Sequence, residues 1–170
     1  QAVEEAFGAS FGELRVMLVG AGGGAGRAAA VQCILDRCPR LVLVNRTVEK
    51  AQALADEFGE IASGELLAIP WEADAMEAEL GRIDLIVNAT SVGMKPGDPE
   101  VVPARLLGPD HLVYDMVYAP ARTCLMEDVE KAGGRAANGL GMLLWQGAIA
   151  FEYWFGRPAP VEAMRRGLKG

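Results

Sequence analysis

The sequence predicts an α/β domain built on a doubly wound, mostly parallel six-stranded sheet with helices on both faces. Three observations predict it. Short β-branched runs alternate with helical stretches along the 170 residues, the pattern of strands joined by crossover helices. The runs are continuously apolar rather than alternating, as in strands covered on both faces. Polar or glycine residues follow five of the six runs, and an open parallel sheet binds its ligands outside the carboxyl ends of its strands.

The runs are Val16 to Val19, Leu41 to Val44, Leu66 to Ile69, Leu85 to Val87, Leu112 to Tyr114 and, more weakly, Arg135 to Ala137. The residues that follow are Gly20, Asn45, Asn88, Asp115 and Asn138, with the third run offering none. A first helix begins near Ala25 and must end before Pro39. Val48, Ala51, Leu54, Ala55 and Phe58 share one face of a second helix, with Thr47 as N-cap and Gly59 as a natural stop. Leu125, Met126, Val129 and Ala132 repeat the spacing between Thr123 and Gly133. A helix over about 141–155 is apolar nearly all round and is expected to be buried on more than one side. A short helix over about 161–168 follows Pro158 and Pro160, and residues 1–170 read as one domain.

Composition narrows the functional classes. Hydrophobic residues make up 51% and charged residues 23%, enough to bury a core. A net charge of −7 argues against non-specific binding to nucleic acid or an anionic membrane. No apolar run spans a bilayer, and Gln1 to Glu5 lacks the charge pattern of a signal peptide. Three cysteines without C-x-x-C spacing and a single histidine point to reduced thiols, no metal site and a cytoplasmic setting. The lack of an initiator methionine points to a processed or trimmed chain.

The chemistry begins at Gly20-Ala-Gly-Gly-Gly-Ala-Gly-Arg27. This run follows a strand and opens a helix, the context in which G-x-G-x-x-G/A marks a Rossmann-like dinucleotide site. Gly20 permits the turn, Gly22 lets backbone approach a pyrophosphate, and Ala25 fits the small sixth position; an ordinary flexible turn is the competing explanation. Phosphates would rest on the N-terminus of the helix that follows. At the end of the second run, where NAD-binding proteins usually carry Asp or Glu, stand Asn45-Arg46-Thr47, with Lys50 one turn on. Arg46 offers a planar fork, Thr47 a hydroxyl and Lys50 a mobile charge for a 2′-phosphate, which favours NADP. A capped helix with solvated charges would look the same.

Taken together, the glycine loop, Asn45-Arg46-Thr47, Asn88 to Met94, Asp115 to Pro120 with Thr123, and Asn138 to Leu143 with Gln146 resemble shikimate dehydrogenases in content and order. The resemblance runs from about Leu14 to Leu168. It implies reduction of 3-dehydroshikimate to shikimate with NADPH, and a cytoplasmic enzyme of aromatic amino acid (chorismate) biosynthesis. It also implies that this chain is the nucleotide half alone, meeting its small-molecule substrate through an amino-terminal domain absent here.

By that resemblance Gly20, Ala21, Gly22, Gly23 and Gly24 hold the pyrophosphate, and Asn45, Arg46, Thr47 and Lys50 the 2′-phosphate side. Ala89, Thr90, Ser91 and Val92 pass along the cofactor, while Met116, Gly139 and Met142 shape the nicotinamide pocket. Tyr118 and Gln146 face the substrate. Gln146 also interrupts an apolar helix, where a buried amide needs partners; a helix–helix hydrogen bond would explain it equally, and core packing would explain Met142. Two departures stand out: one extra glycine in the loop, which affects Gly24 to Gly26, and Ala119 where the family often has Asn.

Reducing a ketone requires a proton donor. The resemblance assigns that role to a lysine paired with an aspartate in the substrate domain, and neither motif occurs here. Lys50 is explained by phosphate, whereas Lys95, Lys131 and Lys169 match no pattern. His111 is expected to be an exposed loop residue and Asp115 to hydrogen-bond loop backbone. The chain therefore reads as catalytically incomplete, with no catalytic residue of its own. The alternatives are a free-standing NADP-binding module or subunit, or a quinate/shikimate dehydrogenase-like oxidoreductase. A glutamyl-tRNA reductase half would share the fold but not the Asn138 to Gln146 motif.

Overall fold

A computed structural model describes residues 1–168. Six strands form one sheet: β1 (Arg15–Val19), β2 (Arg40–Asn45), β3 (Glu65–Pro70), β4 (Leu85–Asn88), β5 (Leu112–Asp115) and β6 (Arg135–Asn138). Their order is β3-β2-β1-β4-β5-β6, and every pairing is parallel. The expected strands are all present, and the sheet is wholly rather than mostly parallel. The order reverses between β1 and β4, and such a switch point opens a crevice at the carboxyl ends.

Seven helices surround the sheet among the described residues: α1 (Ala2–Phe7), α2 (Gly24–Leu35), α3 (Val48–Phe58), α4 (Ala73–Leu80), α5 (Cys124–Lys131), α6 (Leu140–Phe155) and α7 (Val161–Gly167). Val16, Leu18, Leu41, Leu43, Leu85 and Val87 pack one sheet face against Ala29, Ala30 and Cys33 of α2 and Ala51, Leu54 and Ala55 of α3. Met17, Val19, Val42, Val44, Ile86 and Val113 pack the other against Met76 and Leu80 of α4 and Leu125 and Val129 of α5. Successive residues of one strand thus serve opposite cores, which is why the runs carry no polar alternation. Arg40, 3% exposed at the start of β2, pairs with both Glu65 and Glu79 and so ties β3 to α4.

Two helices have no counterpart in the sequence reading. In α4 only Met76 and Leu80 are buried, too short a stripe to announce itself. In α1 the anchors are tertiary: Glu5 accepts from the Trp145 indole at 2.9 Å and pairs with Arg165 at 2.7 Å, and Phe7 meets Tyr114 edge-on.

The expectation that α6 is buried on more than one side is corrected. Only Leu144 and Ala148 are buried, while Ile149, Tyr153, Trp154 and Phe155 are 60%, 86%, 74% and 61% exposed. One face of α6 lies on the domain and its apolar carboxyl end projects from it. His111 is corrected too: it is half-buried, its Nδ1 accepting from the Gly108 N–H at 3.0 Å and its Nε2 lying 3.2 Å from the Leu80 carbonyl. It pins the loop before β5 to the end of α4. All three cysteines are free thiols, with Cys33 and Cys38 buried and Cys124 exposed. Among the described residues no helix is long and apolar enough to cross a membrane.

Candidate functional site

The sheet register sets the site. Val19 pairs with Val44 and with Asn88, Asn88 with Asp115, and Asp115 with Asn138, so five strands end at nearly one level and their next residues form a row. Gly20 turns the chain away from β1 with φ +94°, a left-handed conformation that disfavours any side chain. Its N–H donates to the Val44 carbonyl at 2.8 Å, and a Cβ there would lie 2.6 Å from Thr90 Cγ2 and 3.0 Å from the Ala89 backbone.

The small position after this turn is not the one expected. Ala25 is exposed, whereas Gly26 is buried against the turn: a Cβ on Gly26 would lie 2.1 Å from the Gly20 carbonyl oxygen. The loop is one residue longer than G-x-G-x-x-G, and the third glycine's task of letting helix approach strand passes to Gly26. Gly26, Ala29, Ala30 and Cys33 form one buried stripe of α2, the sequence signal that could have located it. Gly24 begins α2 with open space at its Cβ position. The Gly23 N–H is taken by the Gly20 carbonyl and the Arg27 N–H by the Gly23 carbonyl. The N–H groups of Gly22, Gly24, Ala25 and Gly26 carry no such bond, leaving donors at the positive end of a helix dipole.

Two cavities flank the turn. The first, about 210 Å³, is lined by Gly20, Gly23, Asn45, Arg46, Ala89, Thr90, Ser91, Val92 and Trp71. No carboxylate lines it. Asn45 accepts from the Thr47 N–H at 3.0 Å, so its side chain shapes the turn that presents Arg46. Thr47 is the N-cap residue of α3 but makes no side-chain capping bond, and it is exposed. Lys50 lies one cleft away, with Ala21, Gly22, Arg27 and Glu57 in a recess of about 90 Å³. Arg27 closes that recess through a two-point pair with Glu57 at 2.7 and 2.5 Å.

The second cavity, about 390 Å³ and mostly apolar, is lined by Ala25, Ala28, Val87, Tyr114, Met116, Met142 and Gln146, together with residues of the amino terminus. The Tyr114 hydroxyl accepts from the Met142 N–H at 3.0 Å, fixing the start of α6 over β5. Gly139 permits that approach, since a Cβ there would lie 2.1 Å from the Met116 carbonyl oxygen. Gln146 is at the rim and exposed, so it is not the buried amide expected. Two residues from Leu144 and from Ala148, it stands about 200° round the helix from each inward-facing side chain. Tyr118 is 46% exposed and lines neither cavity.

A buried polar network supports both. Asn88 donates to Asp115 Oδ1 at 2.9 Å and to the Val92 carbonyl at 3.0 Å, and its Oδ1 accepts from the Thr90 N–H and hydroxyl at 3.0 and 2.7 Å. Asp115 also accepts from the Val117 N–H at 3.0 Å and the Thr123 hydroxyl at 2.6 Å, and Thr123 caps α5. Burial pushes the Asp115 carboxyl above the usual range, although these bonds pull it back. Asp115 thus holds loop backbone, as the sequence implied.

Sequence reasoning missed Trp71, which follows the one strand without a polar terminal residue. Its N–H donates to the Asn45 carbonyl at 3.1 Å and its indole N–H to the Val101 carbonyl at 2.8 Å. Lys95 lines a separate cleft beside α5, along with Asp98, Glu127 and Lys131. Lys169 lies outside the described residues.

Comparisons with known proteins identify the family. The Shikimate / quinate 5-dehydrogenase family model matches residues 1–95, and the Shikimate 5'-dehydrogenase C-terminal domain model matches residues 139–169. The NADP(+) shikimate dehydrogenase of Methanopyrus kandleri is 44% identical over 154 residues, covering 89% of this chain and 53% of that protein. A Listeria monocytogenes shikimate 5-dehydrogenase, solved with shikimate and NAD, superposes with a TM-score of 0.89 at 32% identity, covering 98% of this chain and 59% of the other. The Thermus thermophilus enzyme, solved with NADP(H) and shikimate, gives 0.81 at 30% identity, covering 99% and 58%. The chain spans rather more than half the length of each.

Proposed function

The chain belongs to the shikimate/quinate 5-dehydrogenase family, and from that membership we propose that residues 1–170 are the NADP-binding domain of an enzyme that reduces 3-dehydroshikimate to shikimate. The observation that carries the cofactor assignment is the first cavity, where Arg46 stands at the end of β2 and no carboxylate opposes a 2′-phosphate. The free N–H groups at the start of α2 suit the pyrophosphate, and the absent Cβ atoms at Gly20 and Gly26 leave the backbone room to form that cradle. Related structures hold NADP(H) in one case and NAD in another, so the choice between them rests on Arg46 and Lys50.

The chemistry that a reduced nicotinamide would supply there is a hydride for the substrate ketone. Met116 and Met142 give the ring an apolar, polarizable seat in the second cavity, and Gly139 keeps that seat close to β5. Gln146 at the rim faces the substrate, and so does the exposed Tyr118, which lies outside the cavity lining. The ketone oxygen needs a proton. The residues lining the second cavity include no lysine, histidine or carboxylate, and burial raises the pKa of its Tyr114 hydroxyl, making it a weaker acid than a free phenol. The general acid therefore belongs to a substrate-binding half, as the relatives' greater length allows. The exposed apolar end of α6 is consistent with a partner element of that kind.

Binding titrations of the 170-residue chain test both parts. Arg46→Asp removes a charge-assisted bond and adds a repelling charge, so NADPH binding falls roughly hundred-fold while NADH binding changes little. Equal losses for the two cofactors would defeat the assignment. Shikimate oxidation by the chain alone should be undetectable, and robust turnover would refute the claim of incompleteness.

A further inference from the structure

We propose that Trp71 is a positioning residue for cofactor choice: its indole holds the Arg46 guanidinium over the first cavity, setting the fork before a 2′-phosphate arrives. This rests on the reading of that cavity as an NADP site. The Arg46 guanidinium carbon lies 5.9 Å from the centroid of the Trp71 ring, within the range of a cation–π contact. Among the described residues Arg46 has no ion-pair partner, so the ring face is what restrains it.

The ring is itself held at both ends. Its backbone N–H extends the β2–β3 ladder to the Asn45 carbonyl at 3.1 Å, and its indole N–H is bound by the Val101 carbonyl at 2.8 Å. Val101 is buried in the core beneath α4. A long exposed arginine ordinarily loses rotamer freedom when it binds an anion. One already lying on a fixed aromatic face loses less, and an aromatic plane suits the flat guanidinium better than an ammonium. The effect concerns only the phosphate that Arg46 recognises, so it discriminates NADPH from NADH without touching the nicotinamide.

Calorimetric titration of the 170-residue chain with NADPH and NADH tests this in the wild type, Trp71→Leu, Trp71→Phe, Arg46→Ala and the Trp71→Leu/Arg46→Ala double variant. Trp71→Leu should cut the NADPH-over-NADH preference roughly two- to five-fold, leaving NADH affinity nearly unchanged. Trp71→Phe, which keeps a π face, should retain most of the preference, and in the Arg46→Ala background the loss of Trp71 should add nothing to it. Should Trp71→Leu not fold, Trp71→Met supplies a non-aromatic side chain for the same comparison. Equal weakening of both cofactors by Trp71→Leu would make the ring a wall and overturn the proposal. So would an unchanged preference in Trp71→Leu while Arg46→Ala loses it. If Arg46→Ala also leaves the preference unchanged, the NADP reading fails, and with it the fork that Trp71 would position.

Discussion

Gly26→Ala and Gly24→Ala place the same methyl group two residues apart in the first turn of α2, and the structure assigns them opposite outcomes. At Gly26 the new Cβ would lie 2.1 Å from the Gly20 oxygen, 2.8 Å from the Gly20 carbonyl carbon and 2.9 Å from Ala21 Cα. All three atoms are backbone, so no side chain can swing away. Even a weak C–H···O contact needs about 3.3 Å, so α2 must lift from β1 by roughly 1 Å. Alanine gains up to about 1 kcal/mol over glycine in a helix interior, but overpacking costs about 1–3 kcal/mol, and the upper end applies where only backbone can yield.

The expected net loss is about 2 kcal/mol, or roughly 4–8 °C in Tm for a domain of this size. The same displacement carries the free N–H groups at the start of α2 away from the proposed pyrophosphate position, and NADPH affinity should fall ten-fold or more. At Gly24 nothing lies within 4 Å of the added methyl, and the reduced freedom of the unfolded chain should stabilise by up to about 1 kcal/mol. Thermal melts and NADPH titrations of the two variants decide the matter. A Gly26→Ala protein that melts and binds like the wild type would refute the assignment of the close contact to this glycine.

Further outcomes follow from polar pairs. Asp115→Asn turns an amide toward groups that already donate, namely Asn88, Val117 or Thr123, and should cost about 1–3 kcal/mol in chemical denaturation. An unchanged midpoint would mean that the network does not hold the loops. Asp84 accepts from Arg15 at its backbone N–H and guanidinium, and this bonding lowers its carboxyl below the ordinary range. The folded value being the lower one, the pair's contribution is present above the unfolded value near 3.9 and is lost as pH falls through the folded value. Asp84→Asn should therefore destabilise at pH 7, by no more than about 1 kcal/mol for so accessible a pair, and the difference from wild type should shrink toward pH 2. A pH-independent difference would show that the effect is not the ion pair.

Some of these features are legible in sequence because their cause is local. Continuous apolar runs mark the four central strands as covered on both faces, and each of the six strands appears within a residue or so of its expected limits. Gly20 marks a sharp turn, and Thr123 marks a helix start that its own hydroxyl caps. Short elements are harder: α1 has six residues, less than two turns, and it is placed by tertiary contacts such as those with Tyr114, Trp145 and Arg165. Trp71 left no signal beyond its position, since an aromatic residue after a strand is ordinarily a packing residue, and its link to Arg46 exists only because β3 lies beside β2.

The sequence by itself determined the fold class, the strand order's raw material and the family, because propensity, turn chemistry and motif order act over a few residues at a time. The tertiary structure decided what depends on helix phase and on neighbours distant in the chain. It moved the third glycine's task from Ala25 to Gly26, because α2 buries the stripe that contains Gly26. It turned Gln146 outward, because Leu144 and Ala148 face in. It also left the apolar end of α6 in solvent, since hydrophobicity states that a surface favours burial but not whether another element lies against it.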